Sequence, residues 1–560
     1  MRRVRRSLVP ALVAAALLAG CADAGPAARF SSPPPGVAAS PTATPGTLAA
    51  ALSDEDLVGQ VLVPYAYGLD ATTVSAGAAA GNQKLAGVDT PAQMIAKYRL
   101  GGLMLVNYTT GDGTAKTNPT TNIDTPDQVH KLTAGLQTAA QALPAHLPLL
   151  VGIDQEYGWV TRIRSGVTQL PSGMGLGAAA DPKLTEQGWA AAGADLATLG
   201  VNTDFAPDAD VLGAAGNPVI GSRSYGSDPA AVGTQVAAAV RGLHQAGVAA
   251  TLKHFPGHGH TTADSHENLP VLTQSRAQLE SGDLPPFSSG IAAGADLVMS
   301  GHLDTRAIDP GTPASFSAKV LVDLLRTKLG FKGVVITDAL NMAPAEKWSP
   351  GEAAVRAILA GNDMLLQPPS LSAARSGLLD AMKSGQLPRT RLVEAVTRIF
   401  ALKLRLAAAK PGPMSDVANA DRQAAAAKLS AAAVTVLRGP CSGPLAKGPV
   451  TVTAAAGRDQ QQSWLAAALK AAGLQVGDGG TRIHLVGYGD TSADLAPGAA
   501  VTVAMDLPAV LARATSPVRL ATYSSTQASM TAVAAVIAGK APARGRSPID
   551  VPGLPRSACT

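Results

Sequence analysis

The sequence predicts an α/β protein in which a (β/α)8 barrel of the TIM type is followed by a smaller three-layer α/β domain. Two observations predict the barrel. From residue 51 onward, short apolar runs alternate with Ala-rich amphipathic stretches, and polar residues follow several of these runs directly. The composition then changes after Leu406, where residues 410–413 read Lys-Pro-Gly-Pro and predict a break between two domains.

The first residues are typical of an export signal. Four arginines lie within the first six residues, and residues 8–18 form an apolar run that is too short to span a bilayer. Residues 18–21 read Leu-Ala-Gly-Cys and resemble a bacterial lipobox, in which Cys21 becomes the lipid-bearing first residue of the mature chain. We therefore predict a lipoprotein signal peptide over residues 1–21 and an extracytoplasmic protein anchored to the cell membrane. A plain secretory signal is the alternative.

Charge and composition also restrict the partners. Without the four arginines of the signal, the formal net charge falls from +5 to +1, which leaves no basis for nucleic-acid binding. Residues 22–46 are rich in Pro, Ala, Ser and Thr and predict a flexible linker to a catalytic domain over residues 47–410. No cofactor is expected, and the protein is expected to be a monomer.

Eight apolar runs are the candidate strands of the barrel. They cover residues 61–65, 102–106, 147–153, 201–206, 249–253, 296–300, 333–337 and 363–366. A doubly wound open sheet is the alternative, but no Gly-x-Gly-x-x-Gly turn follows the first run. In a barrel of this type, the active site lies at the carboxyl ends of the strands.

Polar side chains end or follow five of these runs. They are Asp154 and Glu156 after the third run, Asp204 near the end of the fourth, Lys253 with His254 at the end of the fifth, His302 after the sixth and Asp338 after the seventh. Any one of them could satisfy a loop or cap a helix. Their joint placement at one edge nevertheless predicts a ligand pocket there.

The loop after the fifth run contains an Asp-Ser-His triplet within residues 253–270, which also hold three further histidines. In extended backbone, Asp264 and His266 would project to the same side. An Asp that holds one imidazole nitrogen lets the other nitrogen transfer protons near neutral pH. A turn-capping Asp beside a solvated His is one alternative. Zinc is another, but no Cys or His-Glu-x-x-His accompanies these histidines, so no metal is predicted.

The string Lys-His-Phe-Pro-Gly-His-Gly, followed by Thr-x-x-Asp-Ser-His, resembles the signature of family 3 glycoside hydrolases of the β-N-acetylglucosaminidase (β-hexosaminidase) type. The resemblance implies that His266 is the general acid/base and Asp264 its dyad partner. Asp338, in Val-Ile-Thr-Asp, matches the catalytic nucleophile of the family. Without the resemblance, Asp338 would also fit the N-cap of the next helix.

Five further residues match sugar-binding positions of the family: Asp154, Arg162, Arg223, Lys253 and His254. Their chemistry suits the role, because sugar hydroxyls both donate and accept hydrogen bonds and therefore need carboxylates and cations around the ring. For the two arginines, a surface ion pair is the alternative.

One position departs from the family pattern. Trp159 stands where the family commonly has an arginine, which removes a charge and adds an aromatic face. This ring could stack on a neighbouring sugar or merely pack against the protein.

A second α/β domain is predicted over residues 411–560, with candidate strands at 434–437, 450–453, 483–486, 501–504 and 520–523. No acid that must reach the barrel site is evident in it, so a structural or wall-contacting role is expected. Cys441 and Cys559 are predicted to form a disulfide in an oxidising compartment, with free thiols as the alternative.

The resemblance implies a retaining exo-β-N-acetylglucosaminidase that removes terminal non-reducing GlcNAc from peptidoglycan fragments. The expected partners are GlcNAc-containing muropeptides or chitooligosaccharides, and the membrane through the lipid on Cys21. Three alternatives remain: a family 3 β-glucosidase or xylosidase, a phosphorylase acting on GlcNAc glycosides, and a catalytically inactive wall-binding lipoprotein.

Overall fold

The computed structural model of the protein describes residues 44–107, 121–213, 217, 219–261, 263–265 and 267–559. The predicted signal peptide with Cys21, nearly all of the predicted linker and the predicted acid/base His266 lie outside these residues. In the described part of the chain, we find no helix with both the length and the apolar character needed to cross a membrane.

A closed ring of parallel strands forms the first domain. We label these strands in chain order: β1 (Leu62–Val63), β2 (Gly102–Met104), β3 (Leu150–Ile153), β4 (Thr203–Asp204), β5 (Ala249–Phe255), β6 (Leu297–Ser300), β7 (Val334–Thr337) and β8 (Leu365–Leu366). Strands β2 to β7 form one continuous sheet, and β1 pairs with β8. Parallel bridges from Tyr65 to Met104 and from Ile336 to Met364 join the two sheets, so the ring closes and the predicted barrel is confirmed.

The strands fall where the apolar runs predict them, with different ends. All seven residues of β5 are buried, as expected for a parallel strand that is covered on both faces, and β5 continues past Lys253 to Phe255. The third strand begins only at Leu150, because Pro148 has no amide hydrogen for the strand ladder. A short pair of strands, Val271–Leu272 and Asp304–Thr305, was not predicted.

Helices surround the ring. They are Pro45–Ala50, Asp54–Gln60, Ala76–Ala86, Pro91–Tyr98, Pro126–Gln141, Gly173–Ala179, Pro182–Thr198, Pro229–Gln245, Arg276–Gly282, Leu284–Ala292, Lys319–Lys328 (a π-helix), Ala343–Glu346, Pro350–Ala360, Leu371–Ser384 and Arg389–Ala407. Several begin with a capping side chain followed by proline, as at Asp181-Pro182 and Asp228-Pro229. The cap oxygen accepts from an otherwise unpaired amide, and proline fits the first turn because it has no amide hydrogen to satisfy.

The second domain is built on a five-stranded sheet. Its strands are β9 (Thr435–Arg438), β10 (Val450–Ala454), β11 (Thr481–Val486), β12 (Val501–Ala504) and β13 (Val518–Ala521). They lie in the order β9-β13-β12-β11-β10, and β9 alone among them runs antiparallel to its neighbour. The accompanying α-helices are Ala420–Ala433, Asp459–Ala471 and Gln527–Ile537. The predicted second α/β domain is thus confirmed.

The two faces of this sheet pack against different neighbours. Leu485 belongs to a core shared with the helices Asp459–Ala471 and Gln527–Ile537. The next residue, Val486, points to the opposite face and shares a core with Met174 of the barrel domain. The barrel therefore covers the second face of the sheet, which brings the carboxyl ends of the second-domain strands close to the barrel.

A hydrogen bond to the barrel and an internal disulfide are among the interactions that hold the second domain. Ser172 Oγ of the barrel domain donates a hydrogen bond of 2.6 Å to the carbonyl of Tyr523. Within the second domain, the structure places Cys441 and Cys559 in a disulfide with their Cα atoms 5.3 Å apart. The disulfide fixes the C-terminal segment beside β9, where the amide of Ala558 also donates to Val436.

Candidate active site

A cavity of ≈ 590 Å³ lies at the carboxyl ends of the barrel strands. Every described catalytic or sugar-binding residue of the prediction lines it: Asp154, Arg162, Arg223, Lys253, His254, Asp264 and Asp338. Residues from four different strand ends thus converge on one space, as the strand-end pattern predicts. His266 is not among the described residues, so its place relative to this cavity remains a prediction.

Alternating charges form the floor of the cavity. Lys253 Nζ donates to Asp154 Oδ1 at 2.8 Å and lies 2.5 Å from Glu156 Oε1. Arg162 Nη2 donates to the other oxygen of Asp154 at 3.1 Å. Arg223 donates two hydrogen bonds to Glu156, from Nε at 2.7 Å and from Nη2 at 2.9 Å. Such bidentate pairs fix both side chains in one geometry.

The network keeps its members charged. Burial alone would raise the pKa of Asp154, but Lys253 and Arg162 lower it below its usual value. Burial opposes ionisation of Glu156 as well, yet Arg223 and Lys253 lower its pKa to about 2. Burial would lower the pKa of Lys253, whereas its two carboxylate partners raise it. At neutral pH the cavity therefore presents fixed carboxylates and cations to a polar ligand.

The hydrogen bonds of His254 define its protonation. Its Nε2 lies 3.2 Å from Arg223 Nη2, which can only donate, so Nε2 must accept. The proton is then on Nδ1, which donates to Asp210 Oδ2 at 2.8 Å. We assign a neutral ring with an Nδ1 proton from this network. Asp210, which sequence reasoning missed, is the positioning group behind the ring.

His258 was also missed as a cavity residue, although it lies within the loop motif. Its Nε2 is 3.0 Å from Ser265 Oγ, and its Nδ1 is 2.7 Å from Thr261 Oγ1. Burial is the largest cause that lowers the pKa of His258 to about 4, so the ring is neutral at physiological pH. Because Ser265 directly follows Asp264, this contact ties the loop that carries Asp264 to the cavity wall.

Asp338 lies at the end of β7. Its amide donates to the carbonyl of Ser300 at 2.9 Å, and its Oδ1 accepts from the amide of Ala339 at 2.8 Å. His302 holds the same turn, with Nε2 3.0 Å from the carbonyl of Ala339. The next helix, Ala343–Glu346, has Met342 as its N-cap and no side-chain cap, so the alternative role of Asp338 as a helix cap is wrong.

Two of the strand-end residues, Asp204 and His302, do not line the cavity. Asp204 is fully buried and accepts from the amide of Gln155 at 3.0 Å. Burial raises its pKa well above the usual range. Its side chain supports the turn after β3, which is why a polar residue at a strand end did not mark a ligand contact here.

The described histidines of the loop do not share one ligand. His254 contacts Asp210, His258 contacts Ser265, and His260 Nδ1 lies 2.7 Å from Asp283. Among the described residues, one group of possible metal ligands lies close together: Asp208, Asp210 and His254. The cationic Arg223 lies 3.8 Å from Asp208, and His254 already bonds to Asp210, so this group does not fit a cation well.

The second domain also reaches the cavity. Tyr488, in the loop after β11, lines it and stacks on Trp159, with ring centroids 3.7 Å apart and planes 11° apart. The second domain was not expected to supply a catalytic acid to this cavity. What it contributes here is an aromatic ring. No motif marks Tyr488, and its partner Trp159 lies in the other domain, so sequence reasoning had no signal for this contact.

The barrel domain matches a known protein family. Residues 62–402 match the Glycosyl hydrolase family 3 N terminal domain. The chain belongs to glycosyl hydrolase family 3. The resemblance stated from the loop motif is confirmed at the level of the family, and so is the prediction of a glycoside hydrolase.

Relatives of this family 3 chain carry related names. It is 32% identical over 376 residues to Beta-hexosaminidase A of Pseudoalteromonas piscicida, covering 62% of this chain and 60% of that protein. It is 40% identical over 253 residues to the Beta-hexosaminidase of Stenotrophomonas maltophilia (strain R551-3), covering 44% of this chain and 73% of that protein. The chain thus spans about three fifths of the first relative and about three quarters of the second.

A solved structure covers both domains. The family 3 β-N-acetylglucosaminidase from Paenibacillus sp. str. FPU-7 is 31% identical, with a TM-score of 0.77 over 90% of this chain and 99% of that one. The match to this one solved structure therefore extends over both the barrel and the second domain of the family 3 chain.

Proposed function

We propose that the protein is a retaining exo-β-N-acetylglucosaminidase that removes terminal non-reducing GlcNAc from peptidoglycan fragments. The observation that carries the proposal is the meeting of Asp338 and Asp264 in one cavity with a charged sugar-binding floor. The names of the relatives support an acetamido sugar as the substrate.

In the proposed reaction, Asp338 attacks the anomeric carbon and forms a covalent glycosyl ester, while the bond to the leaving oxygen breaks. His266 gives its proton to that oxygen. A water then attacks the same carbon, returns a proton to His266 and releases the Asp338 carboxylate. Asp264 orients the imidazole and stabilises its charged form. Two displacements at one carbon return the β configuration.

The charged floor would bind the sugar. Asp154 and Glu156 accept hydrogen bonds from hydroxyls, whereas Lys253, Arg162 and Arg223 donate to oxygen atoms. Because these groups already hold one another, little ordering remains to be done when the sugar binds.

Three assays test the proposal. Wild type should hydrolyse nitrophenyl GlcNAc faster than nitrophenyl glucose, and Asp338→Ala should lose turnover while still binding the sugar. A fluorinated GlcNAc donor should label the peptide that contains Asp338. Preference for the glucoside would indicate a β-glucosidase, and turnover that requires phosphate a phosphorylase. Equal, negligible cleavage by wild type and Asp338→Ala would leave a wall-binding protein.

We also propose that a lipid on Cys21 anchors the protein to the cell membrane. The support is the Leu-Ala-Gly-Cys sequence after an apolar run. In cells expressing the full chain, Cys21→Ala should move the protein from the membrane fraction to the soluble fraction and abolish labelling by a fatty-acid probe. Membrane association that survives this change would contradict the proposal.

A further inference from the structure

A short turn carries Arg223, which holds the charged floor of the cavity together. The turn is the three-residue 3-10 helix Gly221–Arg223, and no side chain caps its start. From this turn Arg223 reaches Glu156 and donates two hydrogen bonds to it. Both bonds depend on where the guanidinium plane lies, so a displacement of the turn would weaken them together.

The second domain contacts this turn directly. Ser222 Oγ donates a hydrogen bond to Asp506 Oδ1, and Asp506 lies just beyond the carboxyl end of β12. The next residue, Leu507, lies 3.6 Å from the position that a Cβ on Gly221 would occupy. Ser222 and Asp506 are both buried, so water does not compete for the bond between them.

On its other side, the turn lies against the barrel domain. A Cβ added to Gly173, at the start of the helix Gly173–Ala179, would lie 2.1 Å from the carbonyl oxygen of Arg223. The turn is therefore enclosed between a barrel helix and the second domain. Since Ser222 and Arg223 are adjacent in the chain, whatever moves the hydroxyl also moves the arginine backbone. A misplacement of about 1 Å far from the reacting atoms can slow an enzyme about a hundredfold.

We infer that Asp506 is a positioning residue for the reaction. Through Ser222, it sets the position of Arg223 against Glu156 and thereby the geometry of the floor that receives the sugar. The inference rests on the proposed function and goes beyond it, because it gives an acid of the second domain a part in binding the terminal sugar. Asp506 does not line the cavity, so it acts only through the turn.

Steady-state hydrolysis of nitrophenyl GlcNAc tests this role. Ser222→Ala and Asp506→Ala should each lower kcat/KM about tenfold, the size of one buried hydrogen bond to a charged group. The loss should come mainly from a higher KM, because Arg223 contacts the sugar in the bound state as well as in the transition state. Asp506→Asn keeps an accepting oxygen, so it should retain most of the wild-type kcat/KM. Asp478→Ala, at an exposed position of the second domain, is the control.

A double-mutant cycle separates positioning from a general loss of structure. In an Arg223→Lys background, the bidentate contact with Glu156 is already lost. Adding Asp506→Ala there should lower kcat/KM by less than about twofold, because the two residues act through one contact. A general loss of structure would instead give the same tenfold drop in both backgrounds.

Direct binding supplies a second measurement. The Kd for GlcNAc, measured by calorimetry, should rise about tenfold in Ser222→Ala and Asp506→Ala. Wild-type KM and Kd in both variants would overturn the inference, and so would a full tenfold loss in the Arg223→Lys background. If Asp506→Ala does not fold, Ser222→Ala, which removes a single oxygen atom, decides the comparison. Failure of wild type to hydrolyse nitrophenyl GlcNAc would overturn the proposed function alone, since the Kd comparison still tests the role of Asp506.

Discussion

Glu156 shows what a single buried charge does in this cavity. It lies between Lys253 and Arg223, which lower its pKa from the usual 4.5 to about 2. Since the folded pKa lies below the unfolded one, ionised Glu156 stabilises the folded protein above pH 4.5, and this stabilisation is lost as the pH falls toward 2. The cations beside it depend on the same charge.

We therefore expect Glu156→Gln to lower the free energy of unfolding at pH 7 by about 3 kcal/mol, because two buried cations lose their shared partner. The GlcNAc-hydrolysing kcat/KM should also fall, by about tenfold or more, as the floor loses its fixed geometry. Urea unfolding and steady-state kinetics measure these effects. The control is Glu186→Gln, whose pair with Arg241 is largely exposed and should contribute under about 1 kcal/mol. Equal effects of the two variants would contradict this expectation.

Lys403 is a buried cation of a different kind. It lies on the helix Arg389–Ala407, is 1% exposed, and its Nζ donates to Gln60 Oε1 at 2.8 Å. Burial lowers its pKa from the usual 10.5 to about 7. The unfolded chain therefore binds the extra proton between these pH values, so the cost of the buried charge is greatest below pH 7 and is relieved as the pH rises toward 10.5.

Lys403→Met should accordingly stabilise the protein by roughly 2 kcal/mol at pH 6, and the gain should shrink steadily toward pH 10. Melting temperatures measured across this pH range test it. Lys428→Met, at an exposed position, should show no such trend. A gain that does not vary with pH would mean that packing, rather than the charge, limits stability at this site.

At the scale of elements, the loop after β5 is anchored firmly before it reaches Asp264. The amide of His258 donates to Asp210 at 2.6 Å, and the Asn217 side chain donates to the carbonyls of His258 and Gly259. At Gly259, an added Cβ would lie 1.9 Å from the carbonyl oxygen of Val211. The glycine is needed there for close approach of two backbones.

Gly259→Ala should therefore displace the loop, lowering both stability, by about 1–3 kcal/mol, and kcat. Thermal unfolding and hydrolysis of nitrophenyl GlcNAc provide the two measurements. Gly282→Ala is the matched control: nothing lies within 4 Å of its added Cβ, so it should be neutral or slightly stabilising. Wild-type stability and turnover in Gly259→Ala would contradict this prediction and would show that the loop is more flexible than its contacts indicate.

The same elements show what the sequence could and could not predict. Apolar runs identify the barrel strands because parallel strands are buried on both faces. Resemblance to family motifs points to Asp338 and Lys253, although Lys253 meets its partners Asp154 and Glu156 only in the folded barrel. Asp204 follows the same strand-end pattern but turns into the protein interior. Tyr488 meets Trp159 only after two domains dock, and no local pattern encodes such a contact.

At the scale of the whole molecule, Asp195 links the barrel to the connection between the domains. It is fully buried on the helix Pro182–Thr198 and accepts from the amide of Thr168 at 2.6 Å and the amide of Ala418 at 3.0 Å. Arg422, at the start of the second-domain helix Ala420–Ala433, completes the site with a 2.6 Å ion pair to Asp195. Both domains thus depend on one buried carboxylate.

Arg422→Ala should lower the free energy of unfolding by about 3 kcal/mol, because Asp195 then stays buried without its cation. Arg422 does not line the cavity, so the same variant should lower kcat/KM for nitrophenyl GlcNAc only if docking of the second domain sets the position of cavity residues such as Tyr488. Arg556→Ala, which breaks an exposed pair with Asp550, should change neither quantity. Lower stability with wild-type kcat/KM would show that the Asp195 link stabilises the fold without setting the position of Tyr488, whereas loss of both would show that domain docking also shapes the cavity.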